Sequence, residues 1–159
     1  MFTVSLATGI GLAAALKTQL DAGFLYLFAG TVPTTAEGAL DMVSTHTQIV
    51  KISLTGGATG LTFATPTAAV LSKTVAEVWR GTSAFSGANQ ANPTLTAAFF
   101  RFTTAADDGR GAANPATGYR LQGTVSGPGG AGDLVIGNAV IAPAFLQNID
   151  NFRVILDRG

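Results

Sequence analysis

The sequence predicts an all-β protein, a jelly-roll-like β-sandwich with one N-terminal helix. Three observations predict it. Segments rich in aromatic and β-branched residues alternate with the two-residue period of strands, most clearly at residues 97–103 (AAFFRFT) and 119–125 (YRLQGTV). About eight to ten such short segments are separated by Gly, Pro and Asn turn signals, the spacing of a sandwich or jelly roll. Only one stretch has helical periodicity, so the alternation of strands with helices that marks a parallel α/β fold is missing.

A chain of 159 residues reads as one domain, with the helix over about 8–23 and the sandwich over about 24–159. With 47% apolar residues, it has enough material for a full core. Charged residues are only 11%, and nine basic side chains balance nine acidic ones. That balance argues against direct nucleic-acid binding, which calls for a basic excess or stripe. A neutral, weakly charged surface is also poorly protected against self-association, so a dimer or trimer is expected. There is no cysteine, hence no disulfide and no thiolate metal site. The most apolar stretch, residues 10–29, contains Lys17 and Asp21, and no membrane span is expected. Residues 1–9 lack the basic start of a signal peptide and are expected to belong to the mature fold.

Taken in order, Leu12, Leu16 and Leu20 recur at i, i+4 and i+8 with Ala13 beside them, which predicts a helix with a narrow apolar stripe. Thr8 is the expected N-cap and Gly23 the expected residue just past the C-terminus. The stripe should lie across a sheet edge or against a neighbouring subunit. Residues 24–28 (FLYLF) read as a strand, followed by a loop fixed by Pro33. In residues 48–54, Val50, Ile52 and Leu54 face opposite Lys51 and Ser53. Gly56, Gly57 and Gly60 then break the chain before short strands at 61–63, 68–71 and 75–79. Residues 81–93 form a long loop. In 97–103, Phe100 and Phe102 point one way and Phe99 and Arg101 the other. After the polar loop 105–118, the strand 119–125 is expected to pair with 97–103 at the centre of the sheet. Short strands at 134–136, 139–141 and 151–156 complete the domain. Trp79, Phe100, Phe102, Leu121 and Phe152 are the expected core.

Little here carries chemistry. His46 is the only histidine and stands in no recognisable motif with Asp41 or Glu37, so a surface or edge-strand role is expected. Asp107-Asp108-Gly109-Arg110-Gly111 lacks the spaced oxygens of a calcium loop and reads as a turn. The glycine runs lack the Gly-Lys-Ser/Thr of a phosphate loop. No catalytic, cofactor-binding or metal-ligating residue is assigned, no cofactor is expected, and the chain reads as no enzyme. Arg101, Arg120 and Arg153 each sit mid-strand among apolar neighbours. They read equally as solvated arginines with stems lying on apolar surface, or as a face engaged with a partner.

The residues 60–63 (GLTF) with Pro66, 76–79 (AEVW) with Gly81-Thr82, 99–102 (FFRF), 120–125 (RLQGTV), 132–134 (GDL) and 149–152 (IDNF), together with the opening helix and FLYLFAGTVPTTAEG, resemble small virion structural proteins of tailed bacteriophages. Within that class the chain is most similar to the jelly-roll cement, or decoration, proteins of phage capsids. The resemblance implies a non-enzymatic protein on the capsid exterior, assembled in the bacterial host cytoplasm, with the major capsid protein and its own copies as partners. A neck, tail or fibre-base component is one alternative, and a carbohydrate- or receptor-binding sandwich is another. Loops 87–93 and 105–115 look longer than the family's turns. The candidate interface comprises Phe2, Val4, Leu12, Leu16, Leu20, Arg101, Asp107, Asp108, Arg110, Arg120 and Arg153, with the N-terminal segment and loops 81–93 and 105–118 reaching outward.

Overall fold

The computed structural model describes residues 5–156; Phe2 and Val4 lie outside the described residues. The fold is an all-β sandwich with one N-terminal helix, built on a curled multi-strand sheet.

Helix α1 (Leu6–Leu20) starts earlier than its periodicity suggests, because Ser5 rather than Thr8 is the N-cap. The extended Ser5 turns its Oγ to accept the Thr8 backbone N–H at 3.2 Å, so Thr8 is the capped residue. The helix buries Gly9, Ala13 and Leu20, with Leu16 half-buried, and packs on β3. Four helical residues overshoot a full turn by about 40°, so an i, i+4, i+8 series fans out and Leu12 falls off the buried face. Leu12 is 53% exposed, whereas Leu20 is fully buried inside the protein's own core, which removes Leu20 from any partner surface. At the far end the Asp21 carboxylate pairs with Lys17 and accepts the Phe63 N–H at 2.9 Å. Ala22, not Gly23, takes the left-handed conformation; Gly23 is needed because a Cβ there would stand 2.1 Å from the Thr103 carbonyl.

The strands are β1 (Phe24–Ala29), β2 (Thr47–Leu54), β3 (Val70–Ser72), β4 (Trp79–Thr82), β5 (Ser86–Gly87), β6 (Leu95–Thr96), β7 (Phe99–Thr103), β8 (Arg120–Ser126), β9 (Leu134–Val135), β10 (Val140–Ile141), β11 (Leu146–Ile149) and β12 (Arg153–Ile155). The main sheet runs β11-β4-β2-β1-β7-β8-β9, with β5 added to β2. β6 pairs with β10 and β3 with β12 as separate two-stranded ribbons. β7 and β8 pair antiparallel as expected, but the centre of the sheet is β1, flanked by β2 and β7. All six β1 residues are buried, the mark of a strand covered on both faces. A bulge in the β1–β2 register opposite Leu27/Phe28 lets Ile49 and Val50 both enter the core.

The front core holds Leu25, Leu27 and Ile52 around an aromatic group of Phe63, Trp79, Phe102 and Phe152, with ring centroids 5.0–6.1 Å apart. Such pairs add roughly 0.5–1.5 kcal/mol each beyond their buried area. The Trp79 indole N–H donates to Glu77 at 2.7 Å, and the same carboxylate accepts the Thr62 N–H. That turn is why the expected strand 75–79 begins only at Trp79. The five expected core residues are buried except Leu121, which is half-buried against the cluster. A smaller back cluster holds Phe24, Tyr26, Phe28, Leu40 and Phe99, with Phe28 and Phe99 stacked at 5.1 Å. No helix among the described residues is long and apolar enough to cross a membrane.

Phe102→Ala empties the middle of the front aromatic group and is expected to lower unfolding free energy by about 3–5 kcal/mol. Val75→Ala, at a residue 94% exposed, is expected to stay within about 0.5 kcal/mol of wild type. Chemical denaturation of both variants checks the assignment of faces.

Candidate functional site

The back of the sheet is where charge, loops and core meet. With Phe100 and Phe102 facing the front core, strand alternation sends Arg101 to the back. The register sets Arg101 between Tyr26 on β1 and Gln122 on β8. There it is fully buried, and a charge in that position needs hydrogen-bonding partners. It finds four. Its Nε donates to Gln122 Oε1 at 2.9 Å, and Nη1 donates to the carbonyls of Gly38 at 2.9 Å and Gly109 at 2.7 Å. Nη2 reaches the Thr35 carbonyl at 3.3 Å. Gln122 in turn donates from Nε2 to the Pro33 carbonyl at 2.8 Å.

The backbone carbonyls among these acceptors belong to two loops, 30–46 and 104–119, which close over the back cluster. Gly109 presents its carbonyl from a left-handed turn (φ +72°), with the Arg101 Cβ only 3.6 Å from where a side chain would start. The loops also bind each other: the Leu40 N–H donates to the Arg110 carbonyl at 2.7 Å and the Ala113 N–H to the Glu37 carbonyl at 2.8 Å. Arg110 Nε donates to Gln48 on β2 at 3.0 Å.

A second arginine anchors the same layer. Arg120 makes a two-pronged pair with Asp107, Nε to Oδ2 at 2.5 Å and Nη2 to Oδ1 at 2.7 Å, and donates from Nη1 to the Ala36 carbonyl. Its side chain is only 2% exposed, and that of Asp107 is 15% exposed. The Asp107 Oδ1 also accepts the Gly109 N–H at 2.8 Å, holding the turn that serves Arg101.

The electrostatics follow from this packing. Burial, reinforced by the neighbouring Arg120 charge, pushes Arg101 down to about 10, so it stays cationic at neutral pH. Burial pushes the Tyr26 phenol up to about 12, with Asp108 and Asp107 adding to the rise. For Asp107, burial acts upward, but hydrogen bonds from Arg120 and Gly109 outweigh it and hold the carboxyl below its ordinary value.

Several expectations change here. Arg101 and Arg120 are neither solvated nor available to a partner, because their donors are consumed inside the chain. Asp107 is likewise an internal ion-pair partner and Arg110 a half-buried clamp, while Asp108 is exposed and caps the turn through the Arg110 N–H. Loop 105–118 is a wall of the protein, not a detachable arm. In loop 81–93, residues 86 and 87 pair with β2 and Asn89 bonds to Thr47. His46 is buried, Nε2 2.9 Å from the Thr31 carbonyl and its ring edge-on to Phe99. Leu16 packs on the core; Leu12 and Arg153 remain exposed.

Gln122 and Gly109 went unassigned in the sequence. Gln122 was detectable as the polar residue alternating with Leu121 on the strand beside Arg101; the carbonyls of Thr35 and Gly38 left no side-chain signal. Among the described residues no group of three His, Asp or Glu could hold a metal ion. Open concavities among the described residues include a cleft of about 550 Å³ between β9 and β12 and a basin of about 760 Å³ on the 104–119 loop. No family model, curated protein or solved structure matches the chain.

Asp107→Asn is expected to cost about 3–5 kcal/mol, since it leaves the Arg120 charge buried and unpaired. With the native pKa of Asp107 below its unfolded value, the pair's stabilisation is complete above about pH 4 and is lost as pH falls through the native pKa. Wild-type stability measured between pH 5 and 2 should therefore fall more steeply than that of Asp107→Asn.

Proposed function

We propose that this chain is a non-enzymatic structural protein of tailed-bacteriophage virions that binds the outside of the capsid lattice and stabilises it as a cement protein. The reading starts from the resemblance of its strand and turn segments to that family. One structural observation supports it: large apolar side chains stand on the tips of braced turns. Val43 is 89% exposed on a turn in which Asp41 accepts the N–H groups of Val43 and Ser44 at 3.1 and 3.0 Å. The Ser44 hydroxyl, with those N–H bonds, holds the Asp41 carboxyl down at about 2, so the brace persists over nearly the whole acid range. Val75 is 94% exposed on a turn closed by the Glu77 N–H to the Thr74 carbonyl and by Lys73 donating to the Glu77 carbonyl.

A free monomer gains nothing from displaying valines this way, whereas a lattice partner gains apolar burial at no cost in loop ordering. Each contact is small, and several per oligomer multiply through effective concentration. Such uncharged contacts also give attachment only modest salt dependence. The carbohydrate-binding alternative has little to stack a sugar on, since Trp79 and Tyr26 are buried and only Tyr119, 45% exposed, offers a ring among the Trp and Tyr residues. A neck or tail position uses the same kind of contact and differs in copy number.

The test adds purified protein to capsid shells lacking it and measures occupancy and heat resistance. Val43→Asp and Val75→Asp are each expected to weaken attachment about tenfold, corresponding to roughly 1.4 kcal/mol, with folding stability unchanged within about 0.5 kcal/mol. Absence of binding, or only a few copies per virion, would overturn the cement reading.

A further inference from the structure

We propose that the cleft between β9 and β12 accepts an extended segment of a partner protein as an added strand, with an acidic side chain of that segment set against Arg153.

Among the described residues, both walls of the cleft are strand edges without a neighbour. β9 is the last strand of the main sheet, and β12 pairs only with β3. The Ile136 N–H donates to the Ser126 carbonyl at 2.9 Å, so in this parallel pair Leu134 and Ile136 direct their backbone groups at β8. Val135, between them, directs its N–H and carbonyl outward. On the opposite wall the Lys73 N–H donates to the Phe152 carbonyl and the Leu156 N–H to the Ala69 carbonyl, both at 2.9 Å. In this antiparallel ladder residues 152, 154 and 156 therefore turn to β3, while Arg153 and Ile155 present their backbone groups away from it. Unpaired strand edges are templates for another strand, and main-chain bonding to them supplies affinity that side-chain pockets make specific.

The cleft between these edges has an apolar floor and a positive rim. Phe100, Leu121 and Phe152 line it, and Val135 and Ile155 stand at its mouth, 51% and 61% exposed. This floor suits the alternate apolar side chains of a strand. Among the described residues two charged ones line the walls, Asp133 and Arg153. Asp133 is committed: its Oδ2 accepts the Thr124 N–H and hydroxyl, both at 2.8 Å, which holds the carboxyl below its ordinary value. Arg153 is exposed and has no hydrogen-bond or ion-pair partner among the described residues. The open charge of the site is therefore positive, and its complement is a carboxylate on an otherwise apolar, extended chain.

The test pans a displayed library of random nine-residue peptides against the wild-type protein. Enriched peptides are expected to alternate apolar with polar residues and to carry Asp or Glu, and proline at their centre should abolish binding. Val135→Pro removes only the outward donor of β9 and should weaken the selected peptides at least tenfold without lowering the unfolding midpoint. Arg153→Glu, at an exposed position, should weaken acidic peptides similarly and prefer variants in which the acid is replaced by lysine. If Val135→Pro fails to fold, the Arg153 charge swap alone decides the matter. Lack of enrichment, or selected peptides that bind both variants as tightly as wild type, would overturn the proposal. So would concentration-dependent self-association that Val135→Pro abolishes, because the occupant would then be a second copy.

Discussion

Sending Phe100 and Phe102 into the front core commits Arg101 to the back of the same strand, and the whole rear layer is arranged around that charge. A buried guanidinium without acceptors would be intolerable in a marginally stable fold. Among the described residues no carboxylate makes a hydrogen bond to it. Backbone carbonyls from two separate loops and one glutamine do so instead, which means that Arg101 is satisfied only when both loops are in place. Folding of the loops and burial of the charge are one event.

That arrangement explains how a sheet can be covered on both faces by a chain with so few long strands. The front is closed by helix and ribbons packed on aromatic rings. The rear is closed by two irregular loops whose polar backbone would ordinarily favour solvent. Arg101, Arg120 and Gln122, projecting from adjacent strands, give those carbonyls donors, and Asp107 neutralises part of the accumulated charge. The apolar side chains of Phe28, Phe99 and Leu40 then fill the space beneath. What is left outside, among the described residues, is a weakly charged body with apolar side chains at its turns and an unpaired strand edge on each side of a cleft.

The all-β class, the N-terminal helix and most strands were legible because the two-residue and 3.6-residue periods are written in side-chain type. Phe100, Phe102, Trp79 and Phe152 were legible as core for the same reason. The rear layer was not. Alternation correctly places Arg101 opposite Phe102, but it does not tell an outer face covered by loops from one facing solvent or a partner, and nothing in loops of Gly, Ala, Thr and Pro announces that their carbonyls will be the acceptors. A stripe drawn at four-residue steps hides the drift that buries Gly9 and Ala13 and exposes Leu12, and it does not show that Leu20 is buried in the chain's own core. In β11 the polarity is reversed, with Gln147 buried and Leu146 exposed, so no pattern could have placed it.

Arg101 ties both loops to the sheet, and hydrogen exchange of Arg101→Met is the sharpest check of that tie. The Leu40 and Ala113 amides, which bond from one loop to the other, should lose protection by about a hundredfold together, as expected when buried carbonyls lose charged donors. Amides of β2 such as Ile52, on the front core, should keep most of theirs. Full protection of either loop in the variant would contradict the claim.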